Sequence, residues 1–258
     1  MDPRNDGRTM TGPARLAQIV RHPIKAVGVE ELSSTTLTPG QPLPGDRAWA
    51  VAHAAAQLGD GWVPKMNFLR GVSGPELMAI RAETGADGRL SLTHPRADPL
   101  DFDPETEGDR LVAWIAPLWP DGRPAPQRLV RAPQTGFCDI PDPWVSILSL
   151  VSLRILSQRM GHDLSIHRFR GNLWLDGLAP WEEFDLVGRH LRIGATLLVV
   201  RERITRCKAT TANPDTGRYD ADTLGALEDG WGHTDFGVYA EVLEGGPIAP
   251  GDPVEVLA

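Results

Sequence analysis

Cysteine is scarce in this 258-residue chain, which has only Cys138 and Cys207. Two thiols build neither a disulfide framework nor a four-cysteine zinc site, and they leave no means of holding an iron–sulfur cluster within the chain. A reducing compartment is the simplest expectation. Long apolar runs are missing too: no segment approaches the roughly 18 consecutive apolar residues that a spanning helix needs. The opening stretch, MDPRNDGRTMTG, lacks the apolar core of about 7–15 residues found in secretory signals, and reads as a frayed N-terminus on a cytoplasmic protein. Positive charge is also short, with 26 Lys and Arg against 34 Asp and Glu, a formal net charge of −8. That balance argues against a nucleic-acid partner but leaves room for a local basic pocket. The seven histidines show no His-x-x-x-His spacing and the cysteines no Cys-x-x-Cys spacing, so a protein-built zinc site is not expected. No Gly-x-Gly-x-x-Gly or P-loop sequence offers to hold a nucleotide.

What the chain does contain is an ordinary globular balance of 41% hydrophobic and 23% charged residues. Its 27 Gly and 23 Pro predict short elements and frequent turns, which favours a β-rich barrel or sandwich over a helical bundle. "ARLAQIVRHPIKAV" reads as a strand ending at His22-Pro23, because the residue before proline is pushed out of the helical region. "DRAWAVAH", "RLSLTH", "RHLRIG" and "TLLVVRERI" alternate as strands do. Helices are predicted over 109–119, with Leu111, Val112 and Ile115 on one face and Pro120 as the stop, and over 150–160, with Ser149 as N-cap and Gly161 closing the end. Asp222 caps a third, "TLGALEDG". The proline-rich stretch 120–136 is the best candidate boundary. The expected class is mainly β with a few helices (α+β), in two β-barrel-like domains, 14–135 and 136–258.

One segment stands out chemically. "RITRCKATTANPDTGRYD", residues 203–220, sets Cys207 between Arg206 and Lys208 in an otherwise acidic protein. A thiolate is both the nucleophile and the metal ligand, and neighbouring cations favour its formation. Thr210, Thr211 and Asn213 add hydroxyl and amide groups, while Pro214, Asp215 and Gly217 have the chemistry of a tight turn. The plainer alternative is a small buried hydrophobe beside a solvated strand. Cys138, without cationic neighbours in sequence, reads as structural, and the tryptophans as packing, with Trp144 and Trp231 as candidate walls of a substrate entrance.

"RCKATTANPDTG", followed by "LGALEDG" and "FGVYAEVLEGGPIAPGDPVEVL", resembles a MOSC domain, the module found at the C-terminus of molybdenum cofactor sulfurases and in the mitochondrial amidoxime-reducing component. "RHPIKAVGVEELSSTTLTPGQPLPGDRAWAV" is similar to the β-barrel that precedes MOSC in that family. Together the two matches run over roughly residues 14–258. The resemblance implies a molybdenum cofactor (molybdopterin with mononuclear molybdenum) and places Cys207 as the protein ligand to the metal, where soft thiolate sulfur suits a metal already held by dithiolene sulfurs. It implies a cationic clamp from both domains. Lys25 stands at the family's Pro-x-Lys position and Arg47 at its Asp-Arg-x-Trp position, while Arg170 and Asn172 fall in its Phe-Arg-x-Asn segment. Thr205, Arg206, Thr210 and Tyr239 would complete the pocket. In "DIPDPWVSILS", Asp139 and Asp142 are both candidates for the acid near the metal, and the alignment does not choose.

The function implied is reduction of small N-hydroxylated substrates at a Cys-ligated molybdenum, with electrons from an external donor of ferredoxin, flavoprotein or cytochrome type. The competing expectation is a non-catalytic module that carries sulfur as a Cys207 persulfide, or the cofactor itself, for another enzyme. A cysteine hydrolase with His233 as base has the weakest support.

Overall fold

The computed structural model describes residues 13–59, 62–132 and 136–257. The N-terminal stretch expected to fray lies outside them. In the first half the strands are β1 (Arg15–Arg21), β2 (Glu30–Leu32), β3 (Thr35–Leu37), β4 (Trp49–His53), β5 (Arg81–Thr84), β6 (Leu90–His94), β7 (Ala97–Phe102) and β8 (Pro126–Arg131), with helix α1 at Gly108–Ile115. The second half holds β9 (Val145–Ser149), α2 (Leu150–Met160), β10 (Leu173–Asp176), β11 (His190–Ile193), β12 (Thr196–Thr205), α3 (Thr223–Trp231), β13 (Asp235–Glu244), β14 (Gly246–Ile248) and β15 (Val254–Leu257). Strands thus dominate, with few helices. Among the described residues, no helix is long and apolar enough to cross a membrane.

Local chemistry sets the helix ends. Ser149 Oγ accepts from Ser152 N (3.2 Å), and Gly161 closes α2 in the left-handed region at φ 74°. Asp222 accepts from Gly225 N (3.0 Å) to start α3. The helix expected over 109–119 is α-helical only to Ile115 and continues as a 3-10 turn over Ala116–Leu118. Pro117, rather than Pro120, ends the α-ladder, since it has no N–H to donate to residue 113. The proline-rich stretch 120–136 carries β8, which pairs antiparallel with β4 in a two-stranded sheet and begins at Pro126, a position a strand tolerates.

The main sheet has eight strands in the order β15-β11-β12-β13-β9-β10-β1-β2. Its pairs are antiparallel except β9 and β10, which run parallel and are joined through α2. The sheet curls back on itself. On one edge β1 pairs with β10; on the other its end pairs with β2, while its start meets the approach to β15 through Leu16 N to Asp252 O (2.9 Å) and Val254 N to Ala14 O (2.8 Å). An N-terminal strand therefore closes the barrel of the C-terminal half. Leu16, Ile19 and Val20 accordingly share one core with Trp174, Leu198 and Phe236. A second core, containing Leu77, Leu92, Phe102, Leu111 and Ile115, lies under the β5-β6-β7 meander and α1.

One buried acid in the barrel sets a pH response. Glu183 is fully buried; one carboxyl oxygen accepts from Ser152 Oγ (2.8 Å), which in turn accepts from Trp181 N (2.9 Å). The other oxygen has no partner among the described residues. Burial pushes the carboxyl up to about 7, against the opposing Ser152 hydrogen bond. The folded state thus holds this proton more tightly than the unfolded chain, so the contribution is present below about pH 4.5 and is lost as pH rises through about 7. Glu183→Gln, which keeps the shape without the charge, is expected to raise the thermal midpoint relative to wild type at pH 8 and to lose that advantage near pH 4.5. Parallel midpoint curves across this range would show that Glu183 is ionised in the fold.

Candidate functional site

A cavity of about 510 Å³ opens between the barrel and the second core. Lys25, Arg47 and Asp139 line it together with Arg170, Arg206 and Cys207. Asn172, Thr205, Thr210 and Tyr239 also reach it, so residues far apart in sequence converge here. Asp142 does not line it. A wider cleft of about 720 Å³ beside residues 38–48 contains none of these side chains.

The N-terminal wall hangs from the end of β1. Lys25, only 5% exposed, donates from Nζ to Phe137 O (2.7 Å) and to Asp139 Oδ1 (2.5 Å). Burial pushes the Lys25 ammonium down, opposed by the Asp139 charge. For Asp139, burial alone would raise the carboxyl, but Lys25, with Lys65 and Arg47 beyond it, holds the acid well below the usual carboxylate range. Arg47 pairs with Asp46 through Nη1 and donates from Nη2 to Arg170 O (2.9 Å). Asp46 also accepts from His22 N (2.7 Å) and faces the His22 ring at 3.2 Å. Burial and the Arg170 charge push this histidine down to about 3, so it stays neutral while Asp46 carries the counter-charge for Arg47.

Two further guanidinium groups come from the barrel. Arg170 donates to Gly28 O and Ile24 O (3.3 Å each) and is pushed down to about 9 by burial and by Arg47. Arg206 donates to Phe236 O (2.7 Å) and Phe169 O (2.8 Å) and is pushed down to about 10 by burial. Like charges gathered out of water favour an anion between them. The backbone is strained at the same place. Among the described residues, Ala26, Arg47, Arg170 and Trp181 are the non-glycine residues with positive φ, and the first three line the cavity. Left-handed backbone at such residues costs on the order of 1–3 kcal/mol each and clusters at functional sites.

Cys207 is exposed, at the start of the 3-10 turn Lys208–Thr211. Its carbonyl accepts from Thr210 N and Thr210 Oγ1 (3.2 Å each), and Thr210 Oγ1 also meets Thr223 Oγ1 at 2.6 Å. The Thr210 hydroxyl therefore fixes the loop that presents the thiol. Beyond it, Asn213 Oδ1 accepts from Asp215 N (2.8 Å), and Gly217 takes φ 66°, as a tight turn requires. The sequence neighbours of Cys207 turn elsewhere: Arg206 forks onto carbonyls, and Lys208 Nζ lies 4.7 Å from the centre of the Tyr219 ring. Apart from Arg206 and Arg203, the cations lining the cavity come from other elements.

The remaining predicted residues divide by how fully they are engaged. The Asn172 amide is satisfied within the fold: Oδ1 accepts from Ser146 N (3.2 Å) and Ser146 Oγ (2.8 Å), and Nδ2 donates to Val20 O (3.2 Å). It clips β1 to β9. Thr205 Oγ1 donates to Asp235 Oδ1 (2.6 Å). Tyr239, whose phenol burial pushes up, packs against Trp144 with ring centres 6.3 Å apart, and both line the cavity. Trp231 instead packs on Trp181 (4.4 Å) outside it, and His233 lies against Trp181 and Phe184. Cys138, read as structural, lines the cavity, where burial pushes its thiol up. Lys65, Arg70 and Arg203 also line it and carried no signal in the sequence.

Comparison with known proteins gives the family. The family described as "MOSC N-terminal beta barrel domain" matches residues 13–114, and that described as "MOSC domain" matches residues 139–255. A curated relative, "Molybdenum cofactor sulfurase" from Drosophila grimshawi, is 29% identical over 161 residues, 58% of this chain. The match spans only 21% of that relative's length. Among solved structures, the YuaD protein from Bacillus subtilis is 12% identical with a TM-score of 0.46, covering 95% of this chain and 96% of that one. YiiM from Geobacillus stearothermophilus is 21% identical with a TM-score of 0.35, over 44% of this chain and 54% of that one. With both family matches in order along the sequence, the chain belongs to the MOSC-domain proteins, carrying the family's N-terminal β-barrel domain ahead of its MOSC domain.

Proposed function

We propose that the cavity holds the molybdenum cofactor and that the chain reduces small N-hydroxylated compounds there. The carrying observation is the cluster of buried cations on strained backbone beside an exposed thiol. That donor set fits the group. Lys25, Arg47, Arg170 and Arg206 offer charge and hydrogen bonds to a phosphate and pterin edges, and Cys207 offers a soft sulfur ligand. When bound, the cofactor supplies the two-electron redox chemistry of oxygen-atom transfer. Lys25 keeps Asp139 ionised and fixed at the wall, where the carboxylate is suited to accept or orient a substrate N–H or O–H. Trp144 and Tyr239 give the site a flat aromatic face for a planar substrate. An external donor of ferredoxin, flavoprotein or cytochrome type would return electrons, in a cytoplasmic setting. The exposure of Cys207 supports a second reading, a persulfide carrier that needs no reductase.

Molybdenum and phosphorus content, measured on protein from a host that makes the cofactor, tests the first reading. Wild type is expected to carry both near stoichiometrically, Lys25→Ala with Arg47→Ala to lose both, and Cys207→Ala to retain phosphorus better than metal. Loaded wild type should then reduce benzamidoxime with a chemical reductant. A wild type without metal, with Cys207 found heavier by one sulfur atom in the mass spectrum, would establish the carrier instead.

Asn172 separates fold from cofactor binding. Because its amide is already satisfied, Asn172→Ala is expected to lower the urea stability of cofactor-free protein by about 2 kcal/mol, through the buried groups it strands. Unchanged stability with lost cofactor would place the amide on the pterin.

A further inference from the structure

The cavity cations described above are answered by a carboxylate or a carbonyl of the protein. Of the others, Arg168 pairs with Asp220 (2.8 Å) and Arg203 lies over the Phe184 ring at 4.3 Å. Arg70 differs. It lines the same cavity, half-buried, and its guanidinium makes no hydrogen bond, ion pair or ring contact with any described residue. Five donors in a planar fork are thus left unused at a wall already rich in positive charge.

Nor is Arg70 on a loose tether. Its carbonyl accepts from Ser73 N (2.9 Å) and Gly74 N (3.0 Å), closing a turn, and Val72 O accepts from Tyr219 OH (3.0 Å). A Cβ on Gly71 would lie 2.5 Å from Met78 Sδ and 3.5 Å from Ala209 Cβ. Ala209, two residues beyond Cys207, is thus within ordinary van der Waals reach, and the tighter approach is to the Met78 side chain. The turn that bears Arg70 is therefore packed onto the loop that bears the thiol. A fork carried on this fixed backbone without a protein acceptor is available to a ligand's oxyanion at the cavity wall.

We propose that Arg70 seats an anionic group of the substrate, so that the preferred substrates carry a carboxylate or similar oxyanion beside the group that reacts. This rests on the reading that substrate enters this cavity, and it adds the substrate's charge class.

The test compares benzamidoxime with 3- and 4-carboxybenzamidoxime, on loaded wild type, Arg70→Gln and Arg70→Lys, with molybdenum content measured on each. Wild type is expected to prefer a carboxylated compound about tenfold in kcat/KM, chiefly through KM, as one charge-assisted contact implies. Arg70→Gln should abolish that preference at full molybdenum content, and Arg70→Lys should keep part of it. Equal kcat/KM in wild type, or a preference that survives Arg70→Gln, overturns the inference. So does loss of molybdenum and phosphorus from Arg70→Gln, which would assign the fork to the cofactor's phosphate. If loaded protein reduces none of the compounds, the reductase reading falls and calorimetry decides for Arg70. A tenfold tighter affinity for a carboxylated compound that vanishes in Arg70→Gln supports the seat, and equal affinities in wild type overturn it.

Discussion

The site depends on β1 being hydrogen-bonded along both edges. That strand closes the barrel, pairing with β10 on one side and with β2 and the approach to β15 on the other. Its end is then fixed in space, and the residues after it are fixed with it. His22 O accepts from Arg47 N (2.6 Å), and Lys25 N donates to Trp49 O (2.7 Å), so one short stretch delivers both the lysine and the strained arginine to the same wall. A barrel closed by another strand would leave the cavity without its N-terminal cations.

Electrostatics explains why this wall is built around acids. A guanidinium moved out of water is costly unless its charge is met, and several of them close together raise that cost. Asp46 meets Arg47 from behind and accepts from His22 N, while His22, held neutral, adds no further positive charge. Asp139 meets Lys25 from the cavity side. Arg170 and Arg206 have only carbonyls, which satisfy hydrogen bonds but not charge. The unmet charge is therefore concentrated where the backbone is also held in its least favourable conformations. Both features persist because the surrounding barrel over-determines them.

Much of the frame was legible in the sequence because its signals are local. Strand alternation, the Ser149 and Asp222 caps and the turn around Asn213 each act within a few residues, and each appears in the structure. The apolar spacing of 109–119 continues across Pro117 and masks it as the helix stop, although its missing N–H decides the matter. The cavity cations at Lys25, Arg47 and Arg170 were found through resemblance, since nothing in their immediate neighbours distinguishes them from surface charge. Arg70 and the cavity position of Cys138 have no local signal, because their meaning lies in contacts made across the chain. The same limit applies to Lys208, whose adjacency to Cys207 in sequence does not keep its charge from turning to the Tyr219 ring. Asn172 illustrates the reverse: it lines the cavity, yet its hydrogen bonds belong to the barrel.

The closing of the barrel by β1 also orders events in time. During synthesis β1 leaves the ribosome well before the partners for its opening residues, 251–254. Such long-range pairing has to wait until those residues are made. Until then His22, Lys25 and Arg47 have no finished wall to stand on, and the thiol loop has nothing to face. Whatever ligand the cavity takes is therefore delivered only once residues 251–254 have been made and have met β1.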